Sequence, residues 1–353
     1  MQPEAYTNKR FFELEKKNLT KNNWFYACSS LEIAKENDYV LKNIMGWPIV
    51  IQRFKSGIKA FVNICSHRGS PIRIKDAGNG IMKCPYHGWI YDHNGAPIGI
   101  PNCEKMFGVK KDKLKKRKLA QLKVSKIGIF IFVNFGKKPS PLNNYLGNFS
   151  SILENLNESK FQIEKRFKHE LNTNWKLSVE NSLDEYHIVS IHPQTFGSRG
   201  FLKESFYEYS STKKNSGLFY HPNVEKKGRE SYFGEISRKK DFENDSYSIL
   251  YIFPNFQLIS LLNTILVAQT FNPNSEKLTI QENVYFSSKK RHKKSDSTIA
   301  NQGIKYLETI FHEDVGINNH LQNNIANLKY KPLLGKQEFR IKGFQKNYSR
   351  SIK

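Results

Sequence analysis

The sequence is poor in cysteine and in acidic residues. Only 4 of its 353 residues are cysteine, which excludes the disulfide-stabilised scaffolds of small secreted proteins. Asp and Glu number 32 against 56 Lys and Arg, which gives a formal net charge of +24. Lys and Asn are abundant along the whole chain, so most of this charge is attributed to a general compositional bias. The 13% of aromatic residues argues against a disordered chain.

No long uninterrupted apolar run is present. The most apolar stretch, 249–270, is interrupted by polar residues and by Pro254, each costly in a lipid core. Its β-branched and aromatic content predicts two buried strands in a hairpin, joined at Asn263-Thr264. We therefore expect no membrane span. Residues 1–19 have no apolar core of the signal-peptide type, which favours a cytoplasmic protein.

Basic residues cluster in two runs, 110–118 and 289–294. A basic patch is typical of a nucleic-acid-binding surface or of a docking surface for an acidic protein. Neither run carries interleaved aromatic residues, and no nucleic-acid-binding motif accompanies them. Docking of an acidic protein is therefore the favoured interpretation, and nucleic-acid binding is the weaker one.

The chain changes character at a turn-rich, charged break at 136–141. Before it, short apolar runs alternate with Gly, Pro and Asn, as in a small all-β domain. After it, strand patterns are combined with two helical patterns, at 175–191 and 297–328. The prediction is an α+β protein in three parts, namely an N-terminal segment at 1–23, an all-β domain at 24–138 and an α+β domain at 139–353.

The all-β region contains two cysteine–histidine pairs. The first is Cys65-x-His67 and the second, sixteen residues later, is Cys84-x-x-His87. Thiolate and imidazole together select zinc or an iron–sulfur centre. A zinc finger places its cysteines on one knuckle and its histidines on a helix, whereas here each turn supplies one of each. This arrangement suits a [2Fe–2S] cluster better than a zinc ion.

With Gly69, Gly88 and Trp89 beside them, the two turns resemble those of the Rieske iron–sulfur family. The resemblance implies a [2Fe–2S] cluster in which one iron takes both cysteines and the other takes both histidines. Neither loop has the additional cysteine of respiratory Rieske proteins, so the loops resemble those of the oxygenase and ferredoxin branch. Cys28 and Cys103 are expected to be ordinary buried thiols.

A second pair of histidines follows in the α+β region, at His187 and His192. Residues five apart do not share a face of an ideal helix. Because Pro193 disfavours helical backbone at His192, the helix is expected to end there, which allows that side chain to turn back toward His187. Asp184, three residues before His187, lies on the same helix face.

The C-terminal helical pattern supplies a carboxylate for the same site. Asp314 falls on a stripe with Leu307, Phe311 and Leu321, and a carboxylate on an apolar stripe needs a partner such as a metal ion. Two histidines and one carboxylate leave open positions on Fe(II) for O2 and substrate. Asp314 and the adjacent Glu313 are the candidates for this ligand, and of the two Asp314 falls on the apolar stripe.

Together the two motifs resemble the catalytic alpha subunit of Rieske non-haem iron oxygenases, from about residue 24 to residue 322. The resemblance implies a helix-grip catalytic domain and a mononuclear Fe(II) held by His187, His192 and Asp314. It also implies that Asp184 is a catalytic residue, linking a Rieske histidine of a neighbouring subunit to His187. Such a link requires a homotrimer, because the two metal sites of one family subunit are too far apart.

The resemblance also implies the partners of the reaction. No Gly-x-Gly-x-x-Gly fingerprint or flavin motif is present, so electrons from NAD(P)H are expected to arrive through a separate reductase or ferredoxin, with the run 110–118 as its docking surface. O2 and a small organic substrate complete the reaction. A non-enzymatic Rieske electron carrier is the alternative from a different class of protein.

The substrate is less well defined by the sequence. The spacing around the second histidine pair is more similar to monooxygenases and demethylases of small amines than to ring dihydroxylating dioxygenases, which remain the alternative. Aromatic residues that follow it are expected either to cap the substrate pocket or to pack on one another. These residues are Phe201, Phe206, Tyr207, Tyr209, Phe219 and Tyr220.

Overall fold

The structure is a computed structural model that describes residues 1–196, 207–220, 247–261, 265–289 and 294–353. The chain forms two compact units. One is Thr20–Pro139, and the other combines Met1–Leu19 with Ser140–Lys353. The first nineteen residues, which the sequence analysis left as part of a separate segment, therefore pack within the second unit. No helix among the described residues has the length and apolarity needed to cross a membrane.

Helices and strands are numbered in chain order over the described residues. The α-helices are α1 Glu4–Thr7, α2 Lys9–Leu14, α3 Thr20–Asn22, α4 Cys103–Phe107, α5 Lys111–Leu114, α6 Leu142–Leu146, α7 Phe149–Asn155, α8 Trp175–Ser182, α9 Ile188–Ile191, α10 Lys294–Ile325 and α11 Phe339–Ser351. The strands are β1 Phe25–Ser29, β2 Asp38–Ile44, β3 Trp47–Phe54, β4 Gly57–Val62, β5 Ala77–Asn79, β6 Ile90–Tyr91, β7 Pro97–Gly99, β8 Gln121–Ile127, β9 Phe130–Asn134, β10 Phe161–Leu171, β11 Tyr207–Ser211, β12 Ser216–Tyr220, β13 Tyr247–Ile252, β14 Phe256–Leu261, β15 Ile265–Ser275 and β16 Leu278–Ser288.

The unit Thr20–Pro139 is an antiparallel β structure, as predicted. Seven strands form one sheet in the order β1-β9-β8-β4-β3-β2-β5, and β6 pairs with β7. The β2–β3 hairpin turns at Met45-Gly46, whose φ angles of 50° and 77° match the tight turns that suit twisted strands. The core of this unit includes both cysteines of the first motif, together with Val50, Phe61 and Trp89.

The second unit is built on an antiparallel sheet with helices, which confirms the predicted fold class. Its seven strands run in the order β10-β16-β15-β14-β13-β12-β11. Helix α10 packs on this sheet through its apolar stripe, so that Ile304, Leu307 and Ile310 share a core with Val267 and Tyr285. The predicted stripe extends too far at one end, because Leu321 is 43% exposed.

The most apolar stretch forms three strands rather than the predicted two. Phe253–Asn255 connect β13 to β14 without belonging to either strand, and Pro254 among them has no N–H to donate to a sheet. Strand β14 then pairs antiparallel with β15, as the predicted hairpin requires. Its turn at Asn263-Thr264 lies outside the described residues. Every residue of β13 and β14 is buried, which explains why apolar residues predominate on both faces of these strands.

The predicted single helix at 175–191 is broken into α8 and α9. Two side chains bond to the backbone at the break and compete with helical hydrogen bonds. Ser182 Oγ donates to Val179 O at 2.7 Å, and Asp184 Oδ1 accepts from the Tyr186 N–H at 2.8 Å. Helix α9 ends before His192, as Pro193 predicts.

Candidate functional site

The two cysteine–histidine pairs lie on two loops that have the same pattern of backbone hydrogen bonds. The Cys65 N–H donates to Ser70 O, and the Gly69 N–H donates to Cys65 O. In the second loop, the Cys84 N–H donates to Trp89 O and the Gly88 N–H to Cys84 O, at the same offsets of five and four residues. Both glycines have positive φ, at 78° and 71°, where a side chain is strained.

The two loops bring the four predicted ligands to one place. Cys65 and Cys84 are buried, at 3% and 1% exposure, whereas the two histidines are half-buried. His67 Nδ1 lies 3.2 Å from His87 Nδ1, and the His67 ring stacks on Trp89 at 4.9 Å. Two thiols toward the core and two imidazoles toward the surface form an asymmetric donor set that fits a cluster with one thiolate-bound and one imidazole-bound iron.

A tyrosine supports the buried side of this set. The Tyr91 hydroxyl lies 3.0 Å from Cys65 Sγ and 3.2 Å from Ser66 Oγ. Burial raises the pKa of the Cys65 thiol, and the contact with Tyr91 opposes that shift. Hydrogen bonds to sulfur ligands are one of the means by which proteins tune iron–sulfur potentials. Nothing in the spacing of Tyr91 from the two cysteines marks it in the sequence.

At the predicted mononuclear site, three donor atoms of His187, His192 and Asp314 converge from two parts of the chain. His187 Nε2 lies 3.2 Å from His192 Nε2, and Asp314 Oδ1 lies 3.4 Å and 3.1 Å from these two nitrogens. Ligand atoms about 2.1 Å from an ion and at right angles lie about 3.0 Å apart. The three atoms therefore fit one face of a single metal ion, and they form a candidate metal-binding group of the described residues.

Each of the two histidines has a carboxylate at its other ring nitrogen. Asp184 Oδ2 lies 3.4 Å from His187 Nδ1, and Glu313 Oε2 lies 2.6 Å from His192 Nδ1. The Thr195 hydroxyl donates to the same Glu313 oxygen at 2.8 Å. Carboxylates in this position set the tautomer and orientation of metal-binding histidines. Glu313, the alternative candidate for the third ligand, instead lies at the Nδ1 atom of His192, whereas the converging donor atom is Nε2.

Charge is balanced within this group. Burial lowers the pKa of His187, but hydrogen bonds with Asp184 and Asp314 outweigh it and raise that pKa to about 9. Burial raises the pKa of Asp314, whereas the bonds with His187 and His192 lower it to about 2. The carboxylates therefore favour positive charge at the two imidazoles, where a bound metal ion would supply it.

A buried ion pair anchors the turn between α8 and α9. Arg340 of α11, only 3% exposed, donates to Glu185, two residues before His187. The Arg340 Nε–H also donates to Ser216 Oγ at 3.3 Å. Because Arg340 is 155 residues from Glu185, no local pattern marks the pair. It ties the turn that carries Asp184 and His187 to the C-terminal helix.

A pocket opens beside the three converging donor atoms. The apolar side chains of its lining include Ile259, Phe271 and Phe311. Its neutral amides and serine hydroxyls are Ser178, Asn181, Ser182, Gln257, Gln269, Gln281 and Asn318. Of the predicted aromatic cap, Phe201 and Phe206 lie outside the described residues. Tyr209 instead packs edge-on against Phe339, with ring centroids 4.8 Å apart.

Comparison with protein families covers most of the chain. The Rieske [2Fe-2S] domain matches residues 23–134. The catalytic domain of the ring hydroxylating alpha subunit matches residues 159–353, which is more than half of the chain. The two domains follow one another in the order that the two motifs predict.

Curated relatives match about half of this chain. The carnitine monooxygenase oxygenase subunit of Escherichia coli (strain K12) is 31% identical over 192 residues, which cover 53% of this chain and 50% of that protein. The N,N-dimethyl phenylurea N-demethylase subunit alpha of Sphingobium sp. (strain YBL2) is 31% identical over 197 residues, covering 53% and 42%. The chain thus spans about half the length of the curated relatives it matches.

Solved structures share the whole fold. A quaternary ammonium Rieske monooxygenase in complex with L-carnitine superimposes with a TM-score of 0.79 at 20% identity, covering 100% of this chain and 95% of that one. Naphthalene 1,2-dioxygenase from Rhodococcus sp. bound to indole gives a TM-score of 0.83 at 17% identity, covering 100% and 94%. At these identities the likeness shows the fold: an all-β Rieske domain followed by an antiparallel sheet with helices.

Proposed function

The chain belongs to the family of Rieske non-haem iron oxygenase alpha subunits, and from that premise we propose that it hydroxylates or oxidatively demethylates a small organic substrate with O2. The observation that carries this proposal is the convergence of His187, His192 and Asp314 on one point beside a pocket. A protein that only carried electrons would have no use for three metal ligands beside a pocket, which argues against the electron-carrier alternative.

Two metal groups are implied, and the residues present fit both. Cys65, His67, Cys84 and His87 would hold a [2Fe–2S] cluster, while the triad of His187, His192 and Asp314 would hold one Fe(II). When bound, the cluster would supply electrons one at a time, and the Fe(II) would provide open positions at which O2 and substrate meet.

The protein's own contribution is to hold and shield these groups. Glu313 is hydrogen-bonded to His192 Nδ1, and the Asp184 carboxylate lies near His187 Nδ1, so that both Nε2 atoms face the same point. The Glu185–Arg340 pair fixes the turn between α8 and α9. Apolar side chains such as Phe271 and Phe311 keep water away from the substrate. Asp184 is proposed in addition to connect His187 with a Rieske histidine of a neighbouring subunit, which requires a homotrimer.

The electron donor is proposed to be a separate reductase or ferredoxin that uses NAD(P)H. Its docking surface is proposed to be the run 110–118, whose lysines and arginine are exposed. This run lies against the first ligand loop of its own unit, because the Ser66 hydroxyl, between Cys65 and His67, donates to Arg117 O at 2.8 Å. An acidic donor attracted to the run would therefore arrive close to the half-buried histidines.

Oxidative demethylation is favoured over ring dihydroxylation for this site. Two of the relatives named above are a carnitine monooxygenase and an N-demethylase of a dimethylphenylurea. Demethylation of an N-methyl group by O2, two electrons and two protons gives the N–H product, formaldehyde and water. The second candidate, dihydroxylation, is supported by the apolar side chains of the pocket and would yield a cis-diol with no formaldehyde.

Oxygen consumption coupled to a reductase tests the proposal. The iron-loaded protein is given N-methylated amines, N-methylated ureas and aromatic acids, and products are identified by mass spectrometry. Substrate-dependent O2 uptake with formaldehyde supports demethylation, while a diol supports the second candidate. Asp314→Asn should abolish uptake, and Glu154→Gln, an exposed control in the same unit, should not. A reduced cluster and bound iron without any substrate-dependent uptake would contradict an oxygenase.

A further inference from the structure

The pocket beside the metal triad contains buried hydrogen-bond acceptors that lack a donor. Gln257 Oε1, Asn318 Oδ1 and Ser178 Oγ have no hydrogen-bond partner among the described residues. All three residues line the pocket, and they are only 0%, 4% and 3% exposed. Leaving a buried acceptor unpaired lowers stability, so a ligand that brings a donor to it gains affinity.

The orientation of the Gln257 amide is determined by its neighbours. The Ser182 hydroxyl uses its only proton on Val179 O, at 2.7 Å. Ser182 Oγ is therefore an acceptor toward Gln257, whose Nε2 lies 2.5 Å away. With the nitrogen engaged in this way, the carbonyl oxygen of Gln257 is the atom left without a partner. It is a genuine acceptor rather than a misassigned amide nitrogen.

A neighbouring amide network has the same polarity. Glu308 can only accept when ionised, and Asn283 Nδ2 donates to it at 3.1 Å. Asn283 Oδ1 in turn accepts from Gln269 Nε2 at 3.1 Å and from Gln281 Nε2 at 3.3 Å. The Glu308 carboxylate thus orients the Asn283 amide. The Asn283 oxygen in turn holds the amide nitrogens of Gln269 and Gln281, which line this part of the pocket.

Adjacent strands place these amides side by side. Gln257 of β14 is the register partner of Gln269 of β15, and Gln269 is in turn the partner of Asn283 of β16. They therefore form a row of neutral amides on rigid strands rather than a set of mobile loop residues. Side chains held in this way recognise hydrogen-bonding groups at fixed positions.

The charged groups of the pocket exclude one class of ligand. Among its described lining residues there is no Lys or Arg, and the ionisable groups include the carboxylates of Asp184, Glu185 and Asp314. A carboxylate substrate would find no Lys or Arg there, and the imidazoles of His187 and His192 are already paired with the carboxylates of Asp184, Glu313 and Asp314. A quaternary ammonium would bring no N–H to the Gln257 oxygen. A neutral molecule with an N–H donor meets both conditions.

We propose that this site takes a neutral amide or urea with at least one N–H group on a small apolar body, with Gln257 Oε1 accepting that N–H. The apolar body would lie against Phe271, on the same sheet face as the amides, and against Phe311 of α10. This inference rests on the proposed function, since it names the substrate class of the same pocket.

Binding of matched probes tests the inference without turnover. Benzamide, acetophenone and benzoate have the same shape and differ only in an NH2, CH3 or O− group. Isothermal titration of the purified full chain should show benzamide binding about tenfold more tightly than acetophenone, with benzoate weaker still, because one hydrogen bond to a buried acceptor accounts for about that factor. Benzyltrimethylammonium should bind no better than acetophenone.

A variant tests whether Gln257 causes the preference for benzamide over acetophenone. Gln257→Met should bring benzamide and acetophenone within about twofold of each other. Gln162→Met, the same change on β10 of the same sheet, should keep the wild-type ratio, and circular dichroism confirms that each variant is folded. The ratio is measured on wild-type protein first, so the inference can fail even if Gln257→Met does not fold.

Several results would overturn the inference: equal binding of benzamide and acetophenone, tighter binding of benzoate or of the quaternary ammonium, no binding of any probe, or an unchanged ratio in folded Gln257→Met. These titrations need neither reductase nor O2. A failed oxygen-consumption assay would therefore count against the oxygenase proposal, whereas a failed titration would count against the substrate class alone.

Discussion

His192 is held between two adjacent carboxylates of α10. Its Nδ1 atom lies 2.6 Å from Glu313 Oε2, and its Nε2 atom lies 3.1 Å from Asp314 Oδ1. Consecutive residues on a helix point about 100° apart, so the two carboxylates reach opposite edges of one imidazole ring. This geometry supports the proposed metal-binding role of Asp314 and suggests an orienting role for Glu313.

Replacing Glu313 by Gln should weaken iron binding without removing a ligand. Loss of a carboxylate behind a metal-binding histidine typically lowers metal affinity by about tenfold to hundredfold. Titration of the iron-depleted protein with Fe(II) under anaerobic conditions measures the change. The exposed neighbour His312 provides a control, since His312→Ala should leave iron affinity as in wild type. Equal affinity in Glu313→Gln would remove the orienting role.

Asp184→Asn tests transfer between the two metal centres. The variant keeps the size of the side chain and loses its charge, so both metals should stay bound and the donor should still reduce the cluster. Turnover should nevertheless fall by about tenfold or more, the scale seen when such a carboxylate is lost. Rapid mixing of reduced protein with O2 and substrate follows cluster re-oxidation. Re-oxidation at the wild-type rate would rule out a connecting role for Asp184.

The two metal groups should be lost independently, because their residues lie in separate compact units. Cys84→Ala should abolish the visible cluster while retaining the mononuclear site. His192→Ala should lose the mononuclear iron and keep the cluster spectrum. Iron analysis combined with visible and electron paramagnetic resonance spectra distinguishes the two cases. Wild-type protein that is colourless and contains zinc would contradict the Rieske assignment.

Removing one partner of a buried ion pair should strongly destabilise the second unit. Lys176 Nζ lies 2.5 Å from Glu15 Oε1, and each side chain is 1% exposed. Glu15 also accepts hydrogen bonds from Trp175 Nε1 at 2.8 Å and from the Tyr348 hydroxyl at 2.6 Å. Glu15→Gln leaves the buried lysine uncompensated and should cost about 3–5 kcal/mol of unfolding free energy.

Denaturant unfolding of three variants checks this prediction. The double variant Glu15→Gln, Lys176→Met should recover part of the loss, because it removes both buried charges. Lys17→Met, at an exposed position in the same segment, should change stability by no more than about 0.5 kcal/mol. If Glu15→Gln is as stable as wild type, the N-terminal segment does not depend on this pair.

Glu308 should make stability depend on pH in the acid range. Burial raises its pKa, but hydrogen bonds from His169, Tyr285 and Asn283 outweigh burial and lower the pKa below the usual 4.5. A depressed folded-state pKa contributes stability that is present above pH 4.5 and lost as pH falls through the folded-state value.

The stability difference between wild type and Glu308→Gln should therefore narrow as pH falls below about 4.5. Thermal unfolding of both proteins from pH 7 down to pH 3 measures it. Glu154→Gln, at an exposed helix position, should give a small difference that is nearly constant with pH. A difference between wild type and Glu308→Gln that stays constant over the same range would contradict the shifted pKa.

Several features were predictable because they depend on residues close together in sequence. Each ligand loop around Cys65 and Cys84 closes on itself by backbone bonds four and five residues long, so its motif is visible as a short pattern. The end of α9 at His192 follows from Pro193 alone. Asp314 was identified because a carboxylate on an apolar helix stripe is unusual. The all-β unit and the antiparallel sheet with helices follow from strand and helix periodicity.

Local sequence patterns are therefore enough to predict the two ligand motifs, the candidate third carboxylate and the fold class. The groups that surround these residues depend on contacts between distant parts of the chain. Glu313 reaches His192 across 121 positions, and Arg340 reaches Glu185 across 155. The row of amides around Gln257 exists only because three strands align in register. Ligand motifs recur at short spacing because one loop must present two ligands, whereas orienting and substrate-facing groups need only meet in space, which no local pattern records.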